Sequence, residues 1–306
     1  MKRTVVFSNP VYLSMSQQQM VLDFRAQKGM PGDTPLRKLP IEDLGLVVLD
    51  HAQITLTHAL IQALQAGNVA VVSCSRNHMP LGLMLPLHAN TRHREVLGAQ
   101  LESSKPLRKQ LWAQTVSAKI RNQAAVLRNF NRPYLGVERL AGQVKSGDPS
   151  NLEARAAAMY WAVFLGKGKD FYREPEGPSP NDWLNYGYAI VRALVARALV
   201  GSGLLPAWGL FHRNKYNPYG LADDIMEPYR PWVDAQVLKF IAQGQPLTGL
   251  NSEVKAGFLN LAYADSKTEM GLRPLQTAME QTTASLAQCF LGQSRTLVYP
   301  EWIITA

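Results

Sequence analysis

The stretch Arg94–Phe130, REVLGAQLESSKPLRKQLWAQTVSAKIRNQAAVLRNF, decides the fold class. It is rich in Ala, Leu, Gln, Arg and Lys with few β-branched runs. It therefore reads as helix, interrupted at Ser103–Pro106. The sequence before it has another texture. Thr4–Phe7 (TVVF), Leu44–Leu49 (LGLVVL), Asn68–Ser73 (NVAVVS) and Leu81–Leu87 (LGLMLPL) are short apolar or β-branched runs bounded by turn residues, the signature of strands. One helix intervenes, THALIQALQAG, with Thr57 as N-cap and Gly67 as stop. Beyond Phe130, further helices are expected after Gly147–Ser150, Pro178–Pro180, Asn217–Gly220 and Arg273–Leu275. Tyr172–Asp182 (YREPEGPSPND) is expected to be a mobile loop, since Pro and Gly leave it no regular pairing. The expectation is an α+β protein: a small β-rich N-terminal domain over residues 1–90, then a larger all-α domain over residues 91–306.

The chain has 306 residues, a hydrophobic fraction of 46% and a formal net charge of +9. Such a surplus points to an anionic partner, nucleic acid before acidic lipid. Residues 91–145 carry eleven Lys or Arg against three acids, a surplus of +8 out of the +9. Charge concentrated on helices can track a phosphate backbone, and Arg108, Lys109, Lys119 and Arg121 are the candidates there. A solvated helical face is the plainer alternative. The two cysteines, Cys74 and Cys289, have neither disulfide nor zinc spacing, as in a reducing cytoplasm. The opening MKRTVVFSNP is too short in its apolar run for a signal peptide. AIVRALVARALV carries Arg192 and Arg197, so no membrane span is expected.

Against this charge, Phe211–Pro231 (FHRNKYNPYGLADDIMEPYRP) gathers Asp223, Asp224 and Glu227. On a helix starting near Gly220, Asp224 and Asp223 lie three and four residues before Glu227, so the acids share a face and repel. Either the positive helix N-terminus offsets this for Asp223 and Asp224, or a bound cation does. Glu227 lies deeper, beside Pro228, where a bend can aim a carboxylate into a cleft. His212 is the only histidine beyond residue 93. Oxygen ligands with one imidazole suit magnesium or manganese rather than zinc. Ser150 and Glu153 form S-x-x-E, which by itself reads as a capping box, although a glutamate one turn into a helix can also face a neighbouring helix.

LNYGY, GLLPAWGLFHRN and LADDIMEPYRP, within Asn181–Asp234, together resemble the signature region of the CRISPR adaptation integrase family, most closely its type II variant. The resemblance extends to NLEARAAAMYW and GLRPLQTAMEQ and covers essentially the whole chain. It implies a β-rich domain for dimerisation and partner contacts, followed by a helical catalytic, DNA-binding domain. It also implies a homodimer, two of which flank a dimer of a small companion protein in a heterohexamer, with other type II CRISPR proteins as further partners. By motif, Glu153, His212 and Glu227 would be the catalytic ligands of Mg2+ or Mn2+. Asp224, and less directly Asp223, would serve as outer partners or alternate ligands. Arg213, Lys215 and Arg230 flank them as candidate phosphate contacts. The implied reaction joins a 3′-hydroxyl of short double-stranded DNA to a repeat phosphodiester by transesterification, which needs no protein nucleophile. His212 must be neutral to ligate, so activity should fall below about pH 6.5. A general metal-dependent nuclease and a non-catalytic DNA scaffold are the alternatives.

Overall fold

The computed structural model describes residues 2–25, 35–87, 89–166, 171–212 and 214–304. Arg213 therefore lies outside the described residues. Two compact units divide the chain, Met1–Ala89 and Asn90–Ala306.

In the first unit the elements run β1 (Arg3–Phe7), β2 (Val11–Ser16), β3 (Gln19–Asp23), β4 (Arg37–Pro40), β5 (Leu44–Leu49), β6 (Ile54–Leu56), α1 (His58–Ala66), β7 (Ala70–Cys74) and β8 (Pro80–Met84). They make two four-stranded sheets, ordered β1-β5-β7-β8 and β4-β3-β2-β6. Strands β1, β5 and β7 are parallel, with Val5 opposite Val47 and Val47 opposite Val71; β8 closes the sheet antiparallel. The central β5 is apolar along its length and almost wholly buried, as a strand covered on both faces should be. One core joins both sheets and the helix: Phe7, Val11, Leu13, Met20, Leu22, Val47, Leu60, Leu64 and Val71 are all buried in it. Thr57 caps α1 by accepting from the Leu60 amide, and Gly67 ends it.

Sequence reading missed β2, β3, β4 and β6. The β2–β3 hairpin turns at Gln17 and Gln18, both left-handed with φ of 51° and 57°. Hairpin turns of that shape usually announce themselves with Asn or Gly, and two glutamines conceal it.

The second unit contains α2 (His93–Leu101), α3 (Lys105–Asn129), α4 (Leu135–Ala141), α5 (Leu152–Val163), α6 (Asn181–Gly201), α7 (Gly220–Met226), a 3-10 turn (Glu227–Tyr229), α8 (Arg230–Ala242), α9 (Ser252–Leu259) and α10 (Leu275–Phe290). Helix α3 starts where Ser104 caps the Leu107 amide, with Pro106 in the first turn where its missing N–H costs nothing. To the expected helices the structure adds an antiparallel hairpin, β9 (Asp265–Thr268) and β10 (Gly271–Pro274), onto which Glu301 bridges through Lys267.

Helix α6 is apolar nearly all round and buried, the mark of a central helix. Its two arginines are used internally, Arg192 on Asp223 and Arg197 on Glu280. No helix among the described residues is long and apolar enough to cross a membrane. Gly187 lets α8 and α9 approach α6: a Cβ there would stand 2.4 Å from Val233 Cγ1 and 2.8 Å from Phe258 Cδ1. Gly187→Ala is expected to destabilise by about 1–3 kcal/mol through overpacking, read as a fall of about 5 °C in Tm.

One local expectation is corrected. The capping box at Ser150 does not form. Asn151 stands at the N-cap in left-handed conformation, and Asp148 accepts from the amides of Leu152 and Glu153 instead. The carboxyl of Glu153 is thereby left for other work. The Tyr172–Asp182 loop carries a set of side-chain hydrogen bonds. Arg173 donates to Asn181 and Asn185, and those asparagines bond back to Tyr172 and Pro175 carbonyls. Side chains supply the pairing that Pro and Gly deny the backbone.

Candidate active site

Helix α3 builds one wall of the site. Trp112, Thr115, Lys119 and Asn122 recur at helical spacing, so they share a face, and all four are buried. Asn122 donates to the carbonyls of Pro228 and Pro300 and accepts from the Trp302 amide. Those bonds hold the 3-10 turn against α3. Pro228 and Pro231 lack the amides a continuous helix would need, so the run from Gly220 breaks into α7, the turn and α8. The break falls at Glu227 and brings its carboxyl to Lys119.

Lys119 Nζ stands 2.7 Å from Glu153 Oε1 and 2.6 Å from Glu227 Oε2. Glu227 Oε1 accepts from Arg230 Nε at 2.8 Å. The approach of Lys119 to Oε2 is off the line of a hydrogen bond, so that contact is ionic rather than directional. Burial pushes the Glu227 carboxyl up, but Arg230 and Lys119 outweigh it and hold it at about 2. Burial likewise works against the Lys119 ammonium, and Glu227 and Glu153 more than offset it.

His212 is positioned from the other side. Its Nδ1–H donates to Asp224 Oδ1 at 2.5 Å, and its ring meets the Trp112 edge with centroids 5.8 Å apart. Phe211 stacks flat on Trp112 at 4.6 Å. Asp224 is fully buried and also accepts the amides of Leu210 (2.6 Å), Phe211 (2.9 Å) and His212 (3.3 Å). It is the nucleus of the 209–212 loop. Gly209 permits this, because a Cβ there would meet His212 O at 2.6 Å and Asp224 Oδ2 at 2.8 Å. With Nδ1 committed, Nε2 is the nitrogen that remains for a metal. The Asp224 bond raises the His212 pKa above its ordinary value of 6.5, against partial burial. Asp224, Glu227 and Glu153 add to the rise through their charges.

Of the acids, Asp223 faces elsewhere, taken by Arg192 Nε at 2.6 Å and Asn217 Nδ2 at 2.7 Å. Neither Asp223 nor Asp224 acts as a free helix-terminal acid. Glu153 and Glu227 meet at Lys119, and His212 is held through Nδ1 by Asp224.

The expected basic contacts scatter. Lys109, Arg121 and Lys215 are exposed; Arg108 is half-buried. Lys119 is corrected: it is buried in the site and is no surface phosphate contact. Arg230 pairs with Glu227 and lies 4.5 Å from the Tyr188 ring centroid. Beyond it, the Tyr160 and Tyr188 hydroxyls donate to Asp234, whose carboxyl burial raises to about 7. Sequence reading missed Trp112, Asp234 and the role of Lys119. The one available signal was Lys119 lying between Val116 and Ile120 in the middle of a long helix.

Among the described residues, no three His, Cys, Asp or Glu side chains are arranged as they stand to hold a metal ion. The donor set nevertheless fits a divalent cation. Two carboxylates already converge on one positive charge, Glu227 Oε2 is buried without an aligned hydrogen bond, and one imidazole is oriented through Nδ1.

A β-rich unit precedes a helical unit in which two glutamates share one buried lysine, and comparison with known proteins shows the family. The profile of the family described as CRISPR associated protein Cas1 matches residues 4–261. The chain is 34% identical over 255 residues to the CRISPR-associated endonuclease Cas1 of Neisseria meningitidis serogroup C, spanning 83% of this chain and 80% of that one. In fold it matches a casposase bound to integration product, with a TM-score of 0.79 and 19% identity over 100% of this chain and 96% of that one. It also matches a Cas6-RT-Cas1–Cas2 complex, with a TM-score of 0.75 and 21% identity over 99% of this chain and 36% of that one. The chain belongs to the Cas1 family.

Proposed function

We propose that this protein is a divalent-metal-dependent integrase of CRISPR adaptation, of the type II variant. It joins the 3′-hydroxyl ends of a short spacer-precursor duplex to the repeat array. The observation that carries the reading is the convergence of Glu153 and Glu227 on a single buried cation position beside a histidine whose Nδ1 is committed to Asp224. Family membership supports it, as does the fold shared with a casposase bound to integration product.

Glu153, Glu227 and His212 Nε2 would hold Mg2+ or Mn2+. When bound, such an ion supplies charge neutralisation at the attacked phosphate and a more acidic attacking hydroxyl. The protein's own part is placement. Asp224 keeps His212 in the tautomer that presents Nε2, Asn122 fixes the turn that carries Glu227, and Arg230 neutralises the outer oxygen of Glu227. The donor 3′-oxygen forms a bond to repeat phosphorus, the bond from phosphorus to the repeat strand's 3′-oxygen breaks, and the hydroxyl proton ends on that leaving oxygen. Exposed Lys109, Arg121 and Lys215 are assigned to the phosphate backbone. The Asn90–Ala306 unit is assigned catalysis and DNA binding. The Met1–Ala89 unit is assigned dimerisation and contact with a small companion protein in a heterohexamer. The Cas1–Cas2 neighbour supports such a partner.

The test mixes the protein, its companion, a labelled duplex and a supercoiled repeat plasmid with manganese. Label covalently joined to the plasmid is expected, and its loss in Glu153→Ala, His212→Ala and Glu227→Ala. Cut plasmid without joined label would replace this reading with a nuclease. DNA binding indifferent to chelator, with no product under any metal, would replace it with a scaffold.

The raised His212 pKa moves the acid limb of the reaction. Manganese-dependent joining is expected to fall off on acidification as the proton competes for the ring, and raised Mn2+ should move that limb to lower pH. Stability runs the other way, because the protonated His212–Asp224 pair favours the fold at low pH and that contribution fades as pH rises through the raised value. An acid limb that does not respond to Mn2+ concentration would contradict the assignment.

A further inference from the structure

We infer that Lys119 is a positioning residue of the metal site: its ammonium stands between Glu153 and Glu227 in the metal-free protein and gives way when a divalent cation enters. The inference rests on the reading of Glu153, His212 and Glu227 as ligands.

Three observations carry it. The ammonium lies 2.7 and 2.6 Å from one oxygen of each carboxylate, and only 11% of its side chain is exposed. Two carboxylates facing each other in a partly buried site repel, and without a cation they would part or take up a proton. Lys119 therefore keeps the Glu153 and Glu227 carboxylates facing each other in the metal-free protein. Lys119 donates to Glu153 and meets Glu227 as an ion pair, while Arg230 donates from Nε to the other oxygen of Glu227. A lysine is a compact charge on a flexible four-carbon stem, so it can withdraw where a planar arginine clamp cannot.

The structure also provides a place to withdraw to. Lys119 lines a cavity of about 120 Å³ together with Gln123, Trp161, Tyr188 and Arg230. Gln123 lies one turn along α3, and its Oε1 is buried with no hydrogen-bond partner. An unpaired buried acceptor is costly, and a displaced ammonium would satisfy it. The exchange is one monovalent charge for one divalent charge, with the lysine remaining on its helix.

The experiment measures Mn2+ affinity of the full-length protein by electron paramagnetic resonance, alongside Tm with and without Mn2+. Lys119→Met is expected to bind Mn2+ at least about tenfold more tightly than the wild type, having lost its competitor, and to have a lower metal-free Tm. Gln123→Leu is expected to bind Mn2+ several-fold more weakly without a lower metal-free Tm. A merely structural lysine would lower Tm and leave Mn2+ affinity unchanged, and either unchanged or weaker binding in Lys119→Met overturns the inference. Should that variant fail to fold, acetic anhydride labelling of the wild type decides. Mn2+ is expected to change the acetylation rate of Lys119 several-fold, and equal labelling with and without Mn2+ refutes the displacement. Glu227→Ala separates the two readings. If it binds Mn2+ like the wild type, the metal site itself is wrong; if it loses binding while Lys119→Met matches the wild type, only the lysine's role is wrong.

Discussion

Glu227→Ala is expected to abolish manganese-dependent joining and to destabilise the helical unit together. The side chain is almost fully buried and binds two cations, Lys119 on Oε2 and Arg230 on Oε1. Removing it leaves Arg230 without its close acid and Lys119 with Glu153 alone. Breaking a buried pair from one side costs about 3–5 kcal/mol, a fall of about 10 °C in Tm. The loss of a ligand should lower joining by more than about a thousandfold, since the metal's electrostatic contribution is several kcal/mol. Glu227→Gln separates the effects: it keeps volume and one acceptor, so it should be the more stable variant while remaining inactive. The carboxyl is held at about 2, below its ordinary 4.5, so its stabilisation is present above pH 4.5 and is lost as pH falls toward 2. Acid unfolding of the wild type followed by circular dichroism should lose that increment, and Glu227→Gln should show a flatter acid limb. Joining at the wild-type rate in either variant would remove Glu227 from the site.

Asp224→Asn should leave the fold nearly intact and weaken Mn2+ binding by about 10- to 100-fold. An asparagine oxygen can still accept from Leu210 and Phe211, which now bond Oδ2. The amide nitrogen would then face His212 Nδ1 and donate to it. That reverses the tautomer, places the proton on Nε2 and removes the lone pair a metal needs. Calorimetric titration with Mn2+ measures the loss, and raised Mn2+ should restore much of the joining rate. Asp224→Ala is the harsher change. It orphans the amides of a buried loop at about 1–3 kcal/mol for each unsatisfied group, so it should fail by unfolding the 209–212 segment. Unchanged Mn2+ affinity in Asp224→Asn would mean that His212 does not ligate through Nε2.

Much of the fold was legible because its signals are local. The β-branched runs at Thr4–Phe7 and Leu44–Leu49 form β1 and β5, and the Thr57 and Gly67 signals bound α1. Pro and Gly mark the starts of α6 and α7. Legibility failed where the signal was absent or ambiguous. The glutamine turn hides a hairpin, and Ser150 mimics a cap that Asp148 supplies. In the Tyr172–Asp182 loop, side-chain bonds replace the backbone pairing that composition ruled out.

The same division holds at the site. Composition and local pattern were enough for a basic chain with a β-rich first part, a helical second part, a group of acids following His212, and the motifs of one family. Residue types and spacing could not say which acid does what. Asp223, Asp224 and Glu227 share one short helical run, yet one pairs with Arg192, one with His212 and one with Lys119 and Arg230. Packing settles the assignment, because the partners come from α3, α6, α8 and the 209–212 loop. Lys119 reaches Glu153 across 34 residues and meets Glu227 on a third element. Periodicity tells which side of a helix turns inward, and the charge that awaits it there is set by the other helices packed against it.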